Sequence, residues 1–356
     1  MDKKELDKAI EKTVLKMAIE PNNTEHYHEL AKYYAMDNQY EKVISVYESL
    51  LAIDSKDLQT LLNLGSIWFY AKEYKKALKY FNEAVLVNPS NYLVYYNLGN
   101  TYAEMKNFSK ALHYYSRTLD FNSHDPEIYN AIALLYHDFE DYVEARAYYE
   151  KSLSLDSSNL TALVDLGNVC YKLYDYNNAL EYYYKVFELA PDNKTVALCI
   201  ANTLAVTKDK ENCYKYFDIA ISLNGDNYKA YICYAIAKSD FKDYEDAIKL
   251  YKKAIEINPK EVNAYILLGN LYSNLKQYTE AEAQYREALK INKHDPSIFV
   301  LIANTYYMNQ EIERSIYSYR AAVNLRPEND EYKLVFIQVL EDYINEQRKE
   351  DLVANF

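Results

Sequence analysis

Apolar residues along this 356-residue chain fall in clusters spaced i, i+3, i+4 and i+7, the mark of one helical face. Tyr265, Leu268, Gly269 and Tyr272 form one such cluster, and Ala281, Tyr285 and Ala288 form a second stripe just after it. The two-stripe unit returns every 34 residues. A small residue keeps the register: Gly65, Gly99, Gly167 and Gly269, with Ala31, Ala133, Ala201, Ala235 and Ala303 filling the remaining steps without an insertion. With that residue as position 8, repeats begin at residues 24, 58, 92, 126, 160, 194, 228, 262 and 296. The pattern predicts two helices per repeat. It also predicts stacking, because one helix pair cannot bury both stripes alone.

Other columns keep the same register. Position 24 is aromatic in every repeat: Tyr47, Phe81, Tyr115, Tyr149, Tyr183, Phe217, Tyr251, Tyr285 and Tyr319. Position 20 is mostly alanine, and position 7 is large and apolar. At about 100° per residue, positions 4, 7, 8 and 11 share one side of the first helix. The small residue at position 8 lets the second helix approach closely, and the aromatic at 24 is expected to fill the space between repeats. Positions 2, 5, 9, 12 and 13 point roughly the other way.

A 34-residue period with an aromatic at 4, Leu at 7, Gly or Ala at 8, Tyr at 11, Ala at 20, Tyr at 24, Ala at 27 and Pro at 32 resembles the tetratricopeptide repeat. Residues 92–123 and the stretch Tyr265-Ile266-Leu267-Leu268-Gly269-Asn270-Leu271-Tyr272 are full copies. The resemblance implies an all-α fold, a right-handed α-α superhelix, with nine repeats over 24–329. Residues 1–23 read as an N-terminal capping half-repeat, with Ala9 at position 20 and Thr13 in place of the aromatic. Residues 330–356 read as a C-terminal solvating helix and tail. That helix is expected from Asp330 to about Tyr343, with an apolar face of Phe336, Ile337, Leu340 and Tyr343 and an outer cover of Glu341, Asp342, Glu346, Arg348, Lys349 and Glu350. Val353 to Phe356 are expected to fray.

Composition narrows the picture. Five glycines and seven prolines are too few for the hairpin turns of a β fold. They also do not form the phosphate-cradling loops G-x-G-x-x-G or G-x-x-x-x-G-K-[ST]. Nearly all mark the repeat instead: Pro21, Pro89, Pro191, Pro259 and Pro327 stand at position 32, and Pro126 and Pro296 at position 1. A net charge of -13 spread along the chain argues against nucleic-acid binding, which depends on dense Lys and Arg. No apolar run suits a signal sequence or membrane insertion, so the expected location is cytoplasmic. Cys170, Cys199, Cys213 and Cys233 match no zinc spacing and read as free thiols. No histidine pattern suits a metal, and no cofactor is implied. Asp125-Pro126 and Asp295-Pro296 read as helix N-caps.

Chemistry is therefore expected on the unburied face of the first helices, which in the family lines a concave groove for peptides or partner segments. Position 9 carries Asn100, Asn168, Asn202, Asn270 and Asn304. Asn63 and Asn97 at position 6 and Asn130 at position 5 extend the set. An amide both donates and accepts, so it can hold a peptide backbone whatever its sequence. A similar asparagine ladder serves the repeat domains of some glycosyltransferases. Tyr96, Val164, Leu198, Ile232 and Ile266 at position 5, with Tyr171 at position 12, would supply apolar contact or pack on neighbouring helices. The carboxylate clamp of chaperone-binding relatives needs basic residues that this chain lacks at the matching positions, where His28 and Leu93 stand, so an acidic ligand tail is disfavoured. Tyr80, Tyr114, Tyr148, Tyr182 and Tyr216 at position 23 offer either outer packing or a second contact surface. The expected function is a non-enzymatic scaffold or adaptor binding a protein or peptide in the groove. The alternatives are a recognition subunit acting in trans with a separately encoded transferase, and a self-associating rod.

Overall fold

The caps of each repeat show why its helices begin where they do. In the computed structural model, which describes residues 2–354, an Asn, Asp or Glu stands before nearly every first helix. Asn23, Asp57, Asn91, Asp125, Asn159, Asn193, Asn227, Glu261 and Asp295 each accept an N–H from the opening turn. That satisfies donors which the helix leaves unpaired.

The contacts divide the chain into two units, Met1–Tyr182 and Tyr183–Phe356. The first unit holds α1 (Lys3–Ile19), α2 (Thr24–Met36), α3 (Tyr40–Ile53), α4 (Leu58–Tyr70) and α5 (Tyr74–Val87). It continues with α6 (Tyr92–Glu104), α7 (Phe108–Phe121), α8 (Pro126–Asp138), α9 (Tyr142–Leu155) and α10 (Leu160–Lys172). Helix α11 (Tyr176–Leu189) carries the boundary. The second unit holds α12 (Lys194–Val206), α13 (Lys210–Leu223), α14 (Tyr228–Asp240), α15 (Tyr244–Ile257) and α16 (Val262–Asn274). It ends with α17 (Tyr278–Ile291), α18 (Pro296–Met308), α19 (Ile312–Leu325) and α20 (Asp330–Ala354). Among the described residues there is no strand. The chain is an all-α solenoid of tandem helix pairs.

Position 8 explains the close approach inside each pair. A Cβ on Gly65 would lie 2.3 Å from the Phe81 ring, and on Gly99 or Gly269 it would lie 2.5 Å from the ring of Tyr115 or Tyr285. The position-24 aromatic therefore sits against position 8 of its own repeat and also joins the core that it shares with the next repeat, as the pattern predicts. Neighbouring pairs share one core. Leu64, Phe81, Val94 and Leu98 belong to one cluster, and Leu268, Tyr285, Ile298 and Ile302 to another. Four position-4 tyrosines tie a repeat to the turn before it: Tyr27, Tyr95, Tyr129 and Tyr265 donate to the carbonyls of Pro21, Pro89, Ser123 and Pro259.

The turn inside each repeat is built without glycine. Asn38, Lys72, Lys106, Glu140, Tyr174, Lys208, Lys242, Lys276 and Gln310, all at position 15, adopt φ between 55° and 67°. The following residue closes back on the helix end, as where Asn107 N donates to Tyr102 O at 2.9 Å and Lys106 N to Ala103 O at 2.9 Å. This is the left-handed helix stop that usually recruits glycine.

The last helix departs from expectation in two respects. It runs to Ala354 rather than stopping near Tyr343. Its buried face centres on Val339, which packs with Ala303 and Tyr319, while Ile337 is 50% exposed. The stripe is Phe336, Val339, Leu340 and Tyr343, which keeps i, i+3, i+4 and i+7; Ile337 falls beside it. The side chains of Glu346, Arg348, Lys349 and Glu350, expected as polar cover, and residues Asn355 and Phe356, expected to fray, lie outside what the structure describes, whereas Val353 and Ala354 are helical.

Candidate functional site

The position-9 asparagines are half-buried, apart from the exposed Asn304, and in three of them the side-chain oxygen accepts from the tyrosine at position 24. Tyr115 Oη donates to Asn100 Oδ1 at 2.7 Å, and Tyr285 Oη donates to Asn270 Oδ1 at 2.7 Å. Tyr319 makes the same bond to Asn304. Each amide thus satisfies a core hydroxyl of its own repeat, and burial holds the phenols of Tyr115 and Tyr285 well above the ordinary tyrosine value. The bond occupies the amide's acceptor and leaves its N–H donors outside it. Asn202 differs, because position 24 of its repeat is Phe217, which has no hydroxyl to accommodate.

Repeats without an asparagine at position 9 handle the hydroxyl differently. In the first repeat, where Lys32 stands at position 9, Asn63 of the next repeat donates Nδ2 to Tyr47 Oη at 2.8 Å and accepts from Gln59 Nε2 at 2.9 Å. In the fourth repeat, Leu134 stands at position 9. The Tyr149 hydroxyl, in a side chain only 1% exposed, has no hydrogen-bond partner. The residue nearest to the Asn63 role is Asp165, at position 6 of the following repeat. Its carboxyl lies beside Tyr149 without closing a bond of normal geometry, and burial pushes it above the ordinary aspartate value.

These residues border a hollow of about 330 Å³ within the first unit. It is lined by Tyr96, Asn100, Asn130, Leu134, Tyr149 and Asp165, with Glu104, Glu127 and Asp138 also on its wall. Of the residues expected from the sequence, Tyr96, Asn100 and Asn130 come together here. The Asn130 Oδ1 is buried without a partner.

The tetratricopeptide repeat profiles match residues 59–91, 92–125, 126–159, 160–193 and 240–304, together more than half of the chain. The chain belongs to the tetratricopeptide repeat family. No curated protein sequence matches it. Among solved structures, a tetratricopeptide repeat protein from Parabacteroides merdae is 15% identical with a TM-score of 0.55, covering 70% of this chain and 98% of that one. Yeast Tom70 is 17% identical with a TM-score of 0.51, covering 97% of this chain and 93% of that one. At these identities the likeness is one of fold.

This tetratricopeptide repeat protein has a second hollow of about 330 Å³, within its second unit. It gathers Asn270, Asn304, Ser273, Asn274 and Leu301 around Tyr285. The remaining expected residues lie elsewhere. Ile232 and Ile266 pack on the core of the second unit. Val164, Asn168, Leu198 and Asn97 are half-buried, and the Asn97 carbonyl accepts from Thr101 Oγ1 at 2.7 Å. Tyr171 meets Tyr176 edge-on at 5.4 Å.

The position-23 tyrosines act largely in packing. Tyr114 stacks on Tyr102 at 5.4 Å, Tyr148 stacks on Tyr136 at 5.5 Å, and Tyr80 is buried. All four cysteines are free, and burial raises the thiol of Cys170 to about 11 and that of Cys213 to about 12. Asp125 and Asp295 cap their helices.

Sequence reasoning missed Asp165, Tyr149 and the carboxylates around them. The signal was present in the columns: position 6 reads Asn63 and Asn97 in two repeats but Asp165 in the fifth, and position 9 loses its asparagine at Leu134. Among the described residues, no helix is long and apolar enough to cross a membrane, and no three His, Cys, Asp or Glu side chains could hold a metal ion.

Proposed function

We propose that this protein is an interaction scaffold that holds an extended or helical segment of a partner protein against the exposed face of its first helices. The family supports the role of scaffold. The reading for this chain rests on one observation: the hollows of both units open where position-9 asparagines stand, and the bonds from Tyr115 and Tyr285 engage only the Oδ1 of these amides. Backbone carbonyls of a partner segment would accept from these amides. Tyr96 and Leu134 in the first unit and Leu301 in the second would cover its apolar side chains.

The test must spare the core, because removing Asn100 alone orphans the Tyr115 hydroxyl. A variant combining Asn100→Ala with Tyr115→Phe removes an amide at the hollow of the first unit without orphaning the Tyr115 hydroxyl. Affinity capture from native cells, followed by titration of the captured partner, compares this variant with the wild type. The lost hydrogen bond weakens binding by about 1 kcal/mol, so the expected loss is about fivefold. Unchanged affinity in a folded variant would contradict the reading.

A further inference from the structure

The hollow of the first unit has an unusual polar inventory. The Tyr149 hydroxyl is sealed in a side chain 1% exposed and has no partner, and the Asn130 Oδ1 is buried and equally unmatched. A buried polar atom left unpaired costs about 1–3 kcal/mol, so two together mark a place where ordered water or a bound group completes the bonding. Asp165 stands beside them, more buried than exposed, with Asn168 and the His137 imidazole as its neighbours rather than a lysine or arginine. Around the wall, Glu104, Glu127 and Asp138 add three more carboxyls, while the single lysine on the wall, Lys106, is held by Asp138 at 2.9 Å.

Every unmatched atom except the Tyr149 hydroxyl is an acceptor only, and that hydroxyl can accept too. The ligand must therefore bring donors and positive charge. An acidic side chain would meet four carboxyls. No three carboxylates converge enough for a metal ion among the described residues, so the cation is organic. At about 330 Å³, the space is at the lower end for ligand pockets and suits one side chain rather than a cofactor.

We propose that this hollow receives a lysine or arginine side chain of the partner segment, with Asp165 as its counter-charge and Asn130 Oδ1 and the Tyr149 hydroxyl as further hydrogen-bond partners. The proposal rests on the scaffold reading above and adds the chemistry of one anchor. A guanidinium, with five donors in a fixed fork, fits this set better than an ammonium.

The test is selection from a phage-displayed library of random dodecapeptides on the full chain, with the wild type compared with Asp165→Asn and Tyr149→Phe. Both substitutions place a residue the chain already carries in that column, Asn63 in one case and Phe81 and Phe217 in the other, so the fold is kept. Glu41→Gln, an exposed acid on α3, controls for the general attraction of an acidic protein. The expected outcome is a motif with Lys or Arg at one fixed position. Its enrichment should be unchanged in Glu41→Gln and reduced about fivefold or more in Asp165→Asn, with a smaller loss in Tyr149→Phe, while the apolar positions of the motif persist. A motif without a basic position, or one equally basic in Asp165→Asn, overturns the anchor and leaves the scaffold reading standing. Absence of any enriched motif overturns both.

Discussion

The position-24 hydroxyl links packing to recognition at the scale of single residues. Burying a tyrosine ring contributes apolar area, but its hydroxyl needs a partner. Asn100, Asn270 and Asn304 provide one from the first helix of the same repeat. These asparagines therefore serve stability as well as any ligand. Asn100→Ala should cost about 1–3 kcal/mol of stability. Adding Tyr115→Phe should recover about 1 kcal/mol of that loss, a coupling expected of direct partners. Asn202→Ala, opposite Phe217, should change stability by less than about 0.5 kcal/mol. Chemical denaturation of the variants checks all three.

Asp165 makes the opposite compromise. Burial raises its folded-state pKa, so the folded chain holds that proton more tightly than the unfolded chain. The resulting stabilisation is complete below the unfolded value of about 3.9 and is lost as pH rises through the folded value. The melting temperature of Asp165→Asn should therefore gain on that of the wild type between about pH 4 and pH 7. A gap that does not change with pH would show that Asp165 carries no such burial cost.

At the scale of elements, the recurring strain lies in the turn between the helices of a repeat. Nine non-glycine residues hold left-handed backbone at position 15, a conformation that disfavours a side chain by about 1–2 kcal/mol. Lys72 is exposed there. Lys72→Gly relieves the clash but loosens the unfolded chain, so the expected gain is up to about 1 kcal/mol, read from denaturant midpoints. Lys72→Ala should gain nothing. This turn was not legible in the sequence, because lysine, glutamate, asparagine and tyrosine do not announce a left-handed residue as glycine does. The second helices were legible because position 17 is aromatic in seven repeats and position 20 is small. The face of α20 was read imperfectly for a related reason. With one helix and no repeated column to align it, Ile337 and Val339 compete for the same stripe, and only packing on Ala303 and Tyr319 decides between them.

At the scale of the whole molecule, the period was legible because close helix packing forces a small residue into the same place in every repeat. The first-helix face was legible as a list of amides and apolar residues. What those amides already hold was not, because the tyrosine and its asparagine lie in separate columns and only folding joins them. The hollow around Asp165 escaped for the same reason: it arises where position 9 carries Leu134 instead of asparagine and the next repeat carries Asp165 at position 6. The scaffold role itself is tested most directly by where a partner touches the chain. A photo-crosslinking side chain placed at Leu134, 50% exposed in the hollow, can be compared with one at Val143 on α9, 66% exposed and outside it. In extract from native cells, a partner held on the first-helix face gives a single discrete crosslinked species from Leu134 and none from Val143. Crosslinking from Val143 alone, or equally from both, would contradict it.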